Sequence, residues 1–268
     1  MVSLALVCTT GFAHEPYVAP LAYKTEQTQV SVIAGYAEEA LNSEYALKDA
    51  KLTVITPKNE LKTINSEALH KSVTVFDVDL PEQGTYIVQT QASYPLKYVY
   101  DQKAWHLFFD MPADKVLPKT EREYLIPADL KTKTIKTEQV TREWVLQSYL
   151  SKEKTSDIQV PNTPIKVDFS VHPNQIQAAQ PVKLTISEKG KSLVNAEVNL
   201  REKGATDKQA QQFKADSNGQ VELNFPKAGE YLVEVTTPIN LTVKPQNQNY
   251  TIISLNVCLL YTSPSPRD

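Results

Sequence analysis

The stretch DSNGQVELNFPKAGEYLVEV, residues 216–235, decides how the rest of the chain is read. Asp216, Ser217, Asn218 and Gly219 make a turn, because Gly219 reaches positive φ without a side-chain clash and the Asp216 carboxylate can bond the backbone two residues on. Val221, Leu223 and Phe225 then alternate with polar neighbours, the period of two that turns one face of a strand inward. Ala228 and Gly229 break the chain again before a further strand over 230–235. The spacing predicts a hairpin connection at 216–219 and short strands typical of a sandwich.

Working outward, the same alternation recurs at 165–169, 182–186 and 197–200. It recurs towards the N-terminus at 29–33, 51–55, 72–78 and 85–89. Gln83-Gly84-Thr85-Tyr86 echoes Ala228-Gly229-Glu230-Tyr231, as two similar sandwiches in tandem would. Tyr98, Tyr100, Trp105, Leu107 and Phe109 add an aromatic β-rich segment that ends at Met111 and Pro112. The fold class expected is therefore all-β: an N-terminal sandwich over 14–112, a linking segment over 113–163, and a C-terminal sandwich over 164–257. Within the linker, Pro118 and Pro127 interrupt a charged connector with a helical turn expected over 120–125. The block 139–151 reads as helix by length and as strand by Val140, Trp144, Val145 and Tyr149.

The ends are read separately. Residues 1–13 are apolar and small, and polarity changes at His14 and Glu15, so they are expected to be a signal peptide cleaved after Ala13. Residues 258–268 resemble the in-frame translation of a sequencing adapter and are set aside. Both cysteines, Cys8 and Cys258, fall in these ends, so no disulfide is expected in the mature chain. The formal charge of −3 offers nothing to nucleic acid. No apolar run after the leader is long enough to cross a bilayer as a helix, and the periplasm is the expected compartment.

His14-Glu15-Pro16-Tyr17 with Pro20, Gly84-Thr85-Tyr86, Thr141-Arg142 and His172-Pro173-Asn174 together resemble a family of exported bacterial proteins of poorly defined function, related by annotation to nickel and cobalt uptake. The segments Ala196-Glu197-Val198, 216–219 and 228–231 resemble a regulatory transthyretin-like module. The resemblance implies an extended segment at 139–151. It also implies an accessory or solute-binding role, with a membrane metal permease or another envelope protein as partner.

The residues offer little to catalysis. There is no nucleophile elbow and no phosphate-binding glycine loop, and seven glycines are present in all. The expectation is a protein that is not an enzyme. Metal ligation has one candidate set, His14, Glu15, His106 and His172. Cleavage before His14 would place an α-amine and an imidazole on one residue, ligands suited to Ni, Co or Cu ions. Each has a plainer reading. His14 is equally a frayed terminus, His172 a loop tie set by Pro173 and Asn174, and His106 a surface residue of the aromatic strand. His70 has no role assigned. Glu38, Glu39 and Glu44 form an acidic loop that attracts a cation or is simply solvated. Residues 216–219 lack the closing Glu of a calcium loop. Tyr94, Tyr98, Tyr100 and Trp105 either stack on an envelope polymer or pack a core. The alternative to a metal role is a non-catalytic structural or interaction module. A binding pocket is expected between the domains or beside the first strand.

Overall fold

The alternation of apolar and polar residues is realised as strands throughout the computed structural model, which describes residues 14–122, 124–131 and 135–259. The leader 1–13 and tail residues 260–268 lie outside the described residues. Among those described there is no α-helix, and helical geometry is confined to single 3₁₀ turns such as Lys119–Glu121 and Pro173–Gln175. The all-β expectation holds. The segment read as helix or strand at 139–151 is strand, Lys136–Lys152. No described helix is long and apolar enough to cross a membrane.

Two compact units are distinguished. The larger takes in His14–Ala92, Trp144–Pro238 and 249–259. One outer sheet is ordered Glu15–Pro20, Gln29–Ala37, Thr74–Asp79 and Ala68–Leu69, and Tyr45–Ala46 also pairs with Gln29–Ala37. A second outer sheet is built on Pro181–Glu188, flanked by Ile165–Phe169, Lys191–Ser192 and Gln220–Asn224. The long central sheet runs Gln211–Lys214, Glu197–Glu202, Gly229–Thr236, Gln248–Val257, Lys136–Lys152, Gly84–Asp101, Lys51–Ile55 and Leu61–Asn65.

This order contains the same arrangement twice. The antiparallel pair Lys51–Ile55 and Leu61–Asn65 beside Gly84–Asp101 matches the pair Glu197–Glu202 and Gln211–Lys214 beside Gly229–Thr236. Lys136–Lys152 and Gln248–Val257 meet as neighbours in the middle. Two sandwiches are thus present, but their inner sheets are one sheet.

Residue alternation explains how both outer sheets find a surface. Successive side chains of a strand point to opposite faces. Val54, Tyr86, Val88, Leu146, Leu232 and Ile252 join the core under the first outer sheet, with Val32 and Phe76. Their immediate neighbours Ile55, Ile87, Val233 and Ile253 join the core under the second, with Leu184 and Leu223. Strands in the middle are therefore buried on both faces, and their runs enclose polar side chains such as Gln147, Ser148 and Glu234 among the apolar ones. Residues 144–152 and 231–236 are buried at every position.

Two sequence expectations change accordingly. Residues 216–219 are the turn predicted, with Asp216 Oδ1 accepting from the amides of Asn218 and Gln220, both at 2.8 Å, and Gly219 at φ +72°. The connection is not a hairpin, because Gln211–Lys214 belongs to the central sheet and Gln220–Asn224 to an outer one. The chain arches from sheet to sheet instead. The linker drawn over 113–163 also divides differently, since its last strand is an inner strand of the shared sheet rather than a connection.

Two of the arches that enter the central sheet use one device. Gly84 and Gly229 have φ of +126° and +147°. The Tyr86 hydroxyl donates to the Glu82 carbonyl at 2.9 Å, and the Tyr231 hydroxyl to the Lys227 carbonyl at 2.9 Å. This is the tyrosine corner of sandwich folds, in which a phenol ties the arch to the strand it feeds. The sequence echo between 83–86 and 228–231 is its signature.

The smaller unit comprises Ser93–Glu143 and Ile239–Gln248. Leu96, Tyr98, Trp105 and Val140 form one small core and Val99, Phe108 and Leu125 another. Tyr98 is buried and its hydroxyl accepts from Gln248 Nε2 at 2.9 Å, while Tyr100 meets Trp105 edge to face at 5.4 Å. Tyr98, Tyr100 and Trp105 pack, as the plainer reading had it, whereas Tyr94 is exposed.

Candidate functional site

The strand register gathers a set of donors that sequence spacing hides. Glu15 pairs with Ala37, so His14 comes opposite Glu38. Tyr36 pairs with Tyr45 on the other side, so Glu44 comes opposite Ala37. The reversal between them is tight, with Leu41 at φ +65° and the Asn42 amide donating to the Glu39 carbonyl at 3.0 Å. Gly35 allows it, because a Cβ there would lie 1.9 Å from Ser43 Oγ.

His14, Glu38 and Glu44 consequently present one ligand atom each within 4.8 Å of one another. His14 Nε2 lies 3.0 Å from Glu44 Oε2, and the imidazole stands edge-on to Tyr45 at 5.1 Å. The Glu38 amide donates to Glu44 Oε1 at 3.0 Å and, with the bond from His14, holds the Glu44 carboxyl below the usual carboxylate range. One imidazole nitrogen and two carboxylates are a fitting set for a divalent ion of borderline softness. Bonds of 2.0–2.2 Å to a tetrahedral ion put ligand atoms about 3.4 Å apart. Glu39 is directed elsewhere and accepts from Asn42 Nδ2 at 3.0 Å.

Glu15 is not part of that group. Its carboxylate binds the Arg201 guanidinium, whose Nη1 also donates to Asp207 Oδ1 at 2.6 Å and to the Glu38 carbonyl at 3.4 Å. Arg201 is 2% exposed, so its charge depends on these carboxylates for compensation. Burial, then the neighbouring Glu15 charge, pushes Asp207 up to about 6 in spite of Arg201.

His172 serves the sandwich. Its Nδ1 accepts from the Asn174 amide at 3.1 Å and its Nε2 lies 3.0 Å from Thr85 Oγ1. An amide only donates, so Nε2 carries the ring proton and gives it to Thr85. Thr85 Oγ1 also receives the Ser156 amide at 3.1 Å, which directs its own proton to Ser151 Oγ at 2.9 Å. In this arrangement the imidazole is a donor to the hydroxyls, the reverse of a general base. Burial lowers its pKa. Asn174 completes the tie by donating to the Tyr23 carbonyl at 3.0 Å and to Ser151 Oγ at 2.8 Å.

His106 lies in the smaller unit, opposite Val99 in the register, and lines a cavity of about 520 Å³ with Lys119, Arg122 and Tyr124. Arg122 is committed there to Asp129 at 2.7 Å and to the carbonyls of Leu117 and Tyr124. A second cavity of about 410 Å³ lies beside the first strand, over Tyr17, Ala19, Leu41 and Glu230. Of the four ligand candidates read from sequence, His14 alone stands in the three-donor group. Glu38 and Glu44, read only as an acidic loop, stand with it.

A family model described as "Domain of unknown function (DUF4198)" matches residues 11–238. No curated protein matches the chain. Solved structures with some likeness include the FN1–FN3 domains of chicken CNTN1, at 10% identity and a TM-score of 0.26, covering 91% of this chain and 100% of that one. They also include a two-domain fibronectin type III segment of chicken tenascin, at 11% identity and a TM-score of 0.24, covering 91% and 98%.

Proposed function

The chain belongs to the family described as a domain of unknown function, DUF4198, and from that premise we propose that it is an exported, non-catalytic binding protein for a divalent transition ion, held by His14, Glu38 and Glu44. The observation that carries this reading is the convergence of those three donors within 4.8 Å of one another, from two neighbouring segments of an outer sheet. The apolar leader supports export to the periplasm, where an accessory of an uptake system would work beside a membrane permease. Cleavage after Ala13 would add an α-amine, which chelates with Nδ1 of the same residue. The Glu44 carboxylate faces Nε2, so ion capture by the amine and capture beside Glu44 use different nitrogens.

Calorimetric titration of protein beginning at His14 with Ni(II), Co(II) and Cu(II) tests this. Binding at one equivalent is expected, weakened about tenfold or more by Glu44→Gln and by His14→Ala, since each removes one of few ligands. Equal heats for the wild type and both variants would sink it. A second reading, an interaction module of the envelope, is favoured by Leu61–Asn65. This strand ends the central sheet with Leu61 72% exposed, a geometry open to strand addition by a partner. An absence of ion binding leaves that reading standing.

A further inference from the structure

We infer that Arg201 is a positioning residue for the His14, Glu38 and Glu44 group, so that ion binding there is coupled to the order of the 201–207 segment, which supplies no ligand. The inference rests on the metal-binding reading above. Arg201 is fully enclosed and reaches three segments at once. It binds Glu15 next to the ligand His14, the carbonyl of the ligand Glu38, and Asp207 of its own segment. Two backbone bonds run beside it, from the Ala40 amide to the Ala205 carbonyl and from the Gly204 amide to the Ala40 carbonyl, both at 2.9 Å. The reversal that carries Glu38 and Glu44 is therefore clamped to 201–207 through main chain and guanidinium together.

A planar guanidinium can serve two carboxylates and a carbonyl at fixed angles, whereas an ammonium is a single point of charge. If the clamp sets the spacing of the donors, an ion that draws them together also tightens the clamp, since coupling between sites is reciprocal.

The test is amide hydrogen exchange followed by mass spectrometry on the full chain, with and without Ni(II), alongside Ni(II) titration of Arg201→Lys. Arg201→Met with Asp207→Asn serves as a second variant that leaves fewer buried charges unpaired. Slowed exchange at 36–45 and also at 201–207 of the wild type is expected, with affinity lowered about tenfold in Arg201→Lys. Protection confined to 14–20 and 36–45, with variant affinity unchanged, would overturn the positioning role while leaving the ion site intact. Failure of the wild type to bind Ni(II) at all would overturn both. The exchange measurement needs no variant, so misfolding of either substitution does not blunt it.

Discussion

At the scale of single residues, the two tyrosine corners make a matched pair. Tyr86→Phe and Tyr231→Phe each remove one hydroxyl that ties an arch to its strand, and each is expected to lower unfolding free energy by about 1 kcal/mol in urea denaturation. A larger effect is expected at Gly219, where a Cβ would stand 2.5 Å from the Ile186 carbonyl in a left-handed conformation. Gly219→Ala should cost at least 1–3 kcal/mol on the same measurement. Two titrating groups give opposite signs. His172 is held neutral below its ordinary pKa, so its contribution is complete above about pH 6.5 and is lost as pH falls through the lowered folded value. Asp207 is raised from 3.8 to about 6, so the folded state holds the extra proton between those values and stability from this group declines as pH rises from about 4 to 6. Urea midpoints of Asp207→Asn and His172→Gln, read from pH 4 to 7.5, should each lose one of these slopes and keep the other. Residue-level chemistry was half legible in the sequence. His14 and the acidic loop were both visible, but 24 positions separate His14 from Glu38, and only strand register brings them level.

At the scale of elements, alternation was read correctly as strand and incompletely as topology. The turn at 216–219 is set by local chemistry, whereas the sheet that receives the following strand is set by which faces remain to be covered. A period-two pattern names one buried face, and it does so well at Gln220–Asn224 and Pro181–Glu188. It loses its signal where both faces are buried, which is why 139–151 read as either helix or strand. That double burial makes a direct prediction. Ile252 and Ile253 are adjacent, face opposite cores, and are 1% and 0% exposed. Ile252→Ala and Ile253→Ala should each cost about 2–5 kcal/mol in denaturant unfolding, where a strand with one wet face would show a large cost at only one of them.

At the scale of the whole molecule, the all-β class was legible because the turn signals and the corner motif recur along the chain. The shared sheet was not, because Lys136–Lys152 and Gln248–Val257 meet across a separation that no local pattern reports. That seam also governs how the chain must be made. During synthesis the first half emerges with the row of amides and carbonyls along 144–150 still lacking its partner until Gln248–Val257 is made. Such contacts are slow to close because their loop entropy is spent before any contact rewards it. The early half should therefore be most vulnerable to mispairing during this wait, and a chaperone that shields β edges would help most before residue 248 leaves the ribosome.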